Sequence, residues 1–349
     1  MQLSFRWYGN TDPVTLKQIK QIPDMKYIVS AIYDVPVGEV WTKDKINSLK
    51  SSIEQEGLTL SVIESLPVHE SIKLGEANRD SLIENYKESL RNLGNSGIKT
   101  VCYNFMPVFD WTRSNLDYEL EDGSKTLMYD NDFVKDIDPV TTNLNLPGWD
   151  ESYTKEEMAA LIEKYRQIDE EDLWRNLEYF LNEVLPVAIE HDIDLTIHPD
   201  DPPWSIFGIP RIIKTKESYQ RLISINSSKN NGICFCTGSL GCLEENDLPE
   251  IIKEFGDHIH FVHMRNIKRL DNHSFVESGH LSKYGSVNMK EVVRALKAID
   301  YKGTIRPDHG RMIWGETGKA GYGLFDRALG ATYINGLIEG VETNDSTIS

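Results

Sequence analysis

Residues 304 to 311 read "TIRPDHGR": a Thr-Ile pair runs straight into Arg306, Pro307, Asp308, His309, Gly310 and Arg311. Charged side chains are seldom buried unless paired or bound to something. An apolar run that finishes in a carboxylate, an imidazole and two guanidiniums is therefore a candidate site. Three earlier runs finish in the same manner: "TIHPD" carries His198, "CFCTGS" carries Cys236 and "FVHMRN" carries His263. Taken singly, each has an ordinary explanation as a hydrogen-bonded histidine, a small buried thiol or a turn aspartate. What they share is one position, the end of an extended run, and that shared position is the argument for a metal centre. Two imidazoles, one thiolate and one carboxylate suit a borderline divalent transition ion better than the all-oxygen shell of Mg2+ or Ca2+. Mn2+, Fe2+, Co2+ and Zn2+ all stay open. Ligands spread from residue 198 to residue 308 describe an open catalytic site, since closed structural zinc sites use close-spaced cysteine pairs. Strand alternation makes Cys234, His258 and His260 weaker candidates. Cys234 shares a face with Cys236 but lies further from the strand end, and the two histidines have the opposite parity to His263.

The elements that must position these residues can be read from periodicity. Eight short β-branched or aromatic runs are expected as strands, at residues 4 to 9, 26 to 32, 58 to 66, 100 to 106, 194 to 200, 231 to 239, 258 to 266 and 303 to 310. Helical patterns fall between them at 42 to 55, 77 to 93, 154 to 166, 170 to 191 and 287 to 299. Thr154 with Glu157 forms a capping box, and Leu173, Leu177, Phe180, Leu181 and Val184 recur at helical spacing. Eight strands alternating with helices describe a parallel (β/α)8 TIM barrel filling residues 1 to 349 as a single domain. The candidate ligands then sit at the carboxyl rim of strands five to eight, where such barrels keep their chemistry. Residues 107 to 153, after strand four, break the rhythm. "PVFDWTRSNLDYELEDGSK" and "NLNLPGWDESY" hold Phe109, Trp111 and Trp149 without clear periodicity, so this insertion reads as a loop or lid over the barrel mouth.

Composition narrows the partners. The chain has 349 residues, with 37 Lys+Arg against 55 Asp+Glu and a formal net charge of −18, which counts against nucleic acid and anionic membrane as partners. No apolar run approaches the ~20 residues of a membrane span, and "MQLSFRWYGN" lacks the layout of a signal peptide. Four cysteines are too few for a disulfide scaffold of this size, so a cytoplasmic location is expected. The sequence fixes no oligomeric state and leaves room for a homodimer.

Longer motifs carry a resemblance. "SFRWYG", "YDVPVGEVW", "CYNFMPVFDWTR", "NLPGWD", "IHPDDPPWSIFGIPRI", "CFCTGS", "RPDHGRMIWG" and "GYGLFDRALGATYINGL" occur in order over nearly the whole chain. Together they resemble the D-mannonate dehydratases, the metal-dependent type with a xylose-isomerase-like barrel. The resemblance implies conversion of D-mannonate to 2-keto-3-deoxy-D-gluconate and water in hexuronate (glucuronate) breakdown. It also implies one Mn2+ or Fe2+ held by His198, Cys236, His263 and Asp308, with proton transfers by His309 and Tyr322. None of these six positions departs from the family pattern.

Such a dehydration removes a weakly acidic C2 proton beside a carboxylate and expels the C3 hydroxyl, which calls for a Lewis acid, a base and an acid. His309 follows a candidate ligand directly and is read as the acid to the leaving hydroxyl. Tyr322, between glycines in "AGYGLFD", is read as the C2 base. A phenol with a pKa near ~10 would need a nearby cation to lower it. An anionic substrate also needs local positive charge, and Arg6, Arg113, Arg265, Arg306 and Arg311 lie near expected strand ends or in the insertion. Arg113, Arg265 and Arg306, with Tyr8 and Asn104 at the ends of strands one and four, are the expected substrate-binding set. Glu64 and His69 are weaker cases. A sugar isomerase or epimerase on the same barrel is the nearest rival, a metal-dependent nuclease is disfavoured by the acidic balance, and a non-catalytic sugar-binding barrel leaves the His309 and Tyr322 pair unexplained.

Overall fold

All eight expected strands form, and they close on themselves. The structure, a computed structural model, describes residues 1–137, 139 and 154–345. Barrel strands one to eight are Gln2–Arg6, Tyr27–Ser30, Thr59–Glu64, Thr100–Tyr103, Asp194–Ile197, Asn231–Cys236, Ile259–Met264 and Thr304–Pro307. Each pairs in parallel with its neighbours in chain order, and strand one closes onto strand eight in the register Gln2↔Thr304. The strands stop short of the expected runs at their carboxyl ends, because the backbone there leaves the ladder. The Met106 N–H turns to Asn104 Oδ1 at 3.2 Å, and the Asp200 N–H donates to the Ile213 carbonyl at 2.8 Å. Those departures free the rim residues to face the barrel mouth.

Helices cover the outside. Lys43–Gln55, Arg79–Asn95 and Met289–Ala298 occupy three of the expected stretches. Lys155–Tyr165 starts on the expected capping box, with Thr154 Oγ1 accepting the Glu157 N–H and Glu157 accepting the Thr154 N–H. In Glu170–Glu190 the stripe Leu173, Leu177, Phe180, Leu181 and Val184 is fully buried against the sheet. Each such side chain contributes roughly 1.5–3 kcal/mol before the entropy of ordering is subtracted. Inside the barrel, Val29, Val62, Cys102, Cys234 and Phe261 form an apolar plug. This is where Cys234 belongs, one layer below the rim.

The insertion is more regular than expected. Asn115–Glu119 and Lys125–Tyr129 form a hairpin around Asp122 and Gly123, with Gly123 at φ +77°. This hairpin joins a second one, Asn266–Arg269 with Phe275–Ser278 after strand seven, to give a four-stranded antiparallel sheet. The Asp-Gly turn was the available signal, hidden by the acidic residues around it. Stacked Tyr129 and Phe275 rings, 5.6 Å apart, anchor the sheet in a second apolar cluster with Phe109, Ile206 and Ile267. Helix Asn131–Lys135 follows the first hairpin. The rest of the expected lid, residues 140 to 153 with Trp149 and "NLNLPGWDESY", lies outside the described residues.

Candidate active site

The ligand atoms of His198, Cys236 and His263 all lie within 4.8 Å of one another. His198 follows strand five. Its Nδ1 donates to the Pro199 carbonyl at 2.6 Å, which leaves Nε2 as a bare lone pair 3.2 Å from His263 Nδ1. On His263 the far nitrogen, Nε2, stands 3.4 Å from the Glu64 carboxylate, so its hydrogen belongs there and Nδ1 is also bare. Cys236 ends strand six, and its sulfur accepts from the Ser239 N–H at 3.4 Å and from the Ser239 hydroxyl at 3.3 Å. Asp308, just past strand eight, places Oδ2 3.7 Å from that sulfur and Oδ1 3.9 Å from His263 Nδ1. Two imidazole nitrogens and a sulfur therefore cluster, with the Asp308 carboxylate beside them. These residues could hold a divalent cation, and the mixed nitrogen, sulfur and oxygen donors fit a borderline transition ion.

Cationic groups line the same wall. Arg306 grips Glu64 with two bonds, 2.9 and 3.1 Å long, and reaches Asp308 at 2.8 Å. Arg265 bonds Asp201 at 2.6 Å and lies 3.4 Å from Asp308. Burial alone would raise the Asp308 carboxyl, but His309, Arg306, Arg265 and His263 outweigh it and hold the group well below the usual carboxylate range. Glu64 is likewise held down, its burial overcome by Arg306, His263 and Arg6.

A cavity of about 340 Å³ opens over this cluster, a size suited to a small molecule. At its edge the Tyr322 hydroxyl meets His309 Nε2 at 2.8 Å, and His309 Nδ1 lies 2.9 Å from both oxygens of Glu277. Trp111 packs on the His309 ring at 4.9 Å, and Tyr8 packs edge-on against Tyr322 at 4.9 Å. Gly321, at φ +80°, gives its carbonyl to the Gly310 N–H, and a side chain there would sit 2.7 Å from Leu127. This turn holds Tyr322 against His309.

A model of the D-mannonate dehydratase (UxuA) family matches residues 1–347. A mannonate dehydratase of Oceanobacillus iheyensis is 94% identical over 349 residues, the whole of both chains. The crystal structure of mannonate dehydratase from Streptococcus suis serotype2 aligns with a TM-score of 0.93 at 50% identity, covering 99% of this chain and 96% of that one. The chain belongs to the D-mannonate dehydratase family. A xylose isomerase domain protein from Planctomyces limnophilus, at 13% identity, TM-score 0.56 and 98% of each chain, shares the barrel fold alone.

In this D-mannonate dehydratase family member, most expected site residues come together. Tyr8, Asn104, His198, His263, Arg265, Arg306, Asp308, His309 and Tyr322 line the cavity, while Cys236 reaches the cluster from the buried side. Arg113 is the correction. It is fully buried outside the cavity lining, bonded to Asp201 at 2.8 and 3.1 Å and to Glu277 at 2.6 and 2.9 Å, so its donors are already taken up. Arg311 is tied to Asp326 and Asp122, and His69 caps the helix Glu70–Lys73 by accepting the Ser71 N–H. Sequence reasoning missed Glu277 and Asp201. Asp201 carried a signal, since it follows a candidate ligand in "HPDDPPW" and precedes the cis bond to Pro202. Glu277 carried none.

Proposed function

We propose that the chain dehydrates D-mannonate to 2-keto-3-deoxy-D-gluconate and water, using one Mn2+ or Fe2+ held by His198, Cys236, His263 and Asp308. The observation that carries this reading is the 2.8 Å contact of Tyr322 with His309, in the cavity whose floor holds the His198, Cys236 and His263 cluster with Asp308 beside it. When bound, the ion supplies Lewis acidity toward the substrate carboxylate, which eases loss of the C2 proton. The remaining work belongs to the side chains.

Tyr322 is buried, and burial, then Tyr8 and Asp308, push its phenol well above the ordinary value. The chain's own groups thus do not provide the lowered phenol expected from sequence, and Tyr322 starts the reaction protonated. It can take the C2 proton only by handing its own to His309 Nε2 as it does so. His309 then gives that proton to the C3 hydroxyl, which leaves as water. The C2–H electron pair becomes the C2=C3 bond as the C3–O bond breaks, and the resulting enol rearranges to the 2-keto acid. Tyr8 and Asn104 are assigned to substrate hydroxyls, while Arg265 and Arg306 face the cavity and balance the carboxylates beneath it.

Support for a place in hexuronate breakdown comes from the product, and the cytoplasmic reading is supported by four free cysteines. No helix among the described residues is long and apolar enough to cross a membrane. The isomerase or epimerase alternative rests on the shared barrel, which does not fix chemistry. The test is to incubate metal-loaded protein with D-mannonate and assay a 2-keto-3-deoxy acid, then repeat with Tyr322→Phe and His309→Asn. Each variant should lose kcat on the order of 10²-fold or more with metal content unchanged. Wild-type turnover in either one would sink the relay.

A further inference from the structure

We infer that Glu277 is a positioning residue that fixes the tautomer of His309, a role that rests on the proton relay proposed above. A relay through Nε2 needs that nitrogen bare, so that it can receive the Tyr322 proton, and the imidazole hydrogen must then sit on Nδ1. Both Glu277 oxygens lie 2.9 Å from Nδ1. An ionised carboxylate only accepts hydrogen bonds, so it demands a hydrogen on the nitrogen facing it. With the other tautomer, an Nδ1 lone pair would face the carboxylate, and the Tyr322 proton would have no acceptor.

Glu277 is built to stay ionised and still. Burial would raise its carboxyl, but a charged His309, Arg113 and Arg265 act against that and hold it below the usual carboxylate range, and the two guanidiniums keep doing so when His309 is neutral. Arg113 binds Oε1 through Nε at 2.9 Å and Nη2 at 2.6 Å, and its other edge is held by Asp201. The Thr126 hydroxyl donates to the Glu277 carbonyl at 3.1 Å, pinning the strand. Arg265 Nη1 is a rival donor 3.2 Å from Nδ1, yet it also stands 3.4 Å from Glu277 Oε1, so the carboxylate shares its positive charge. Glu277 does not line the cavity. It acts on the substrate through His309, as a carboxylate behind a catalytic histidine does elsewhere.

The deciding measurement is the ¹⁵N chemical shifts of the histidine rings in the full-length Zn2+-loaded protein, with His309 identified by the signal missing from His309→Asn. The wild type should show the proton on Nδ1 and a bare Nε2. In Glu277→Gln the Nε2–H form should grow and kcat should fall on the order of 10²-fold, with KM and metal content at wild-type values. Glu277→Asp, which keeps an acceptor-only group, should recover part of that loss. A wild-type spectrum with Nε2 protonated overturns the inference, even if Glu277→Gln fails to fold. So does wild-type kcat in Glu277→Gln, or a loss explained by lost metal. An inactive His309→Asn beside a fully active Glu277→Gln removes this inference and leaves the relay standing; an active His309→Asn removes the relay itself.

Discussion

At the barrel rim, His198, Cys236, His263 and Asp308 meet because each stands at the end of its own strand, and parallel pairing aligns those ends. At the antiparallel sheet beside it, Arg113, just ahead of the first hairpin, and Glu277 in the second meet across 164 residues because strands Lys125–Tyr129 and Phe275–Ser278 pair. The rim gathers electron-pair donors from four strand ends, the set proposed to hold a cation. The sheet gathers opposite charges and neutralises them internally. One region is thus built to bind and the other to hold, although both press on the same His309. Substitutions in the two regions should fail differently.

The largest effect belongs to the rim. Cys236→Ala removes a proposed ligand and also the sulfur that caps Thr237–Leu240. Elemental analysis should find metal content well below one ion per chain, and activity should fall by more than the ~10–100-fold that loss of an outer partner costs. Cys234→Ala, one layer down in the apolar plug, should keep the metal and cost mainly stability, on the order of 1 kcal/mol. Full metal content and activity in Cys236→Ala would show the thiolate assignment to be wrong and erase the distinction between rim and plug.

An intermediate effect lies where the two regions touch. Gly238 has no unusual backbone need, but a Cβ there would sit 1.9 Å from Arg265 Nε and 2.7 Å from Cζ. Arg265 is buried and held by Asp201, so it cannot swing away cheaply. Gly238→Ala should destabilise the chain by about 1–3 kcal/mol, the usual cost of overpacking. It should also lower kcat, because the displaced guanidinium serves Asp308 and Glu277 together. Chemical denaturation alongside steady-state kinetics separates the two, and unchanged kcat would mean that Arg265 is not a bridge between rim and sheet.

The contrast also explains what could be read from the chain. The rim cluster was legible because strand ends are local: "TIHPD", "CFCTGS", "FVHMRN" and "TIRPDHGR" each show the candidate ligand beside the run that positions it. The strand limits overshot because Phe105 and Met106 continue the apolar composition after the ladder has ended, where Asn104 turns the chain by accepting the Met106 N–H. Arg113 was misread because the need for positive charge was judged against the net −18, whereas its actual partners are two particular buried carboxylates. Glu277, in "SFVESGH", looks like one polar residue on a short half-exposed strand. Nothing within ten residues of it reveals that an arginine from just ahead of another hairpin will pair with it. Long-range charge pairing leaves no period in a sequence.

The smallest expected effect tests whether the sheet is a rigid support along its whole length. Gly123 sits at the exposed tip of the first hairpin with φ +77°, and a Cβ there would meet nothing within 4 Å. The need for glycine is therefore conformational, the reverse of Gly238, where it is one of space. Gly123→Ala should cost on the order of 1 kcal/mol, the price of a left-handed backbone in a residue with a side chain. Hydrogen exchange should quicken at the amides that close the turn, Gly123 and Leu120, whose acceptors are Leu120 and Ser124. Turnover should not change, because Thr126, Arg113 and Glu277 are pinned deeper in the sheet by their own bonds. If kcat instead dropped as it does in Gly238→Ala, the hairpin tip would have to be transmitting its strain to Glu277. The sheet would then be a lever on His309 rather than a passive brace.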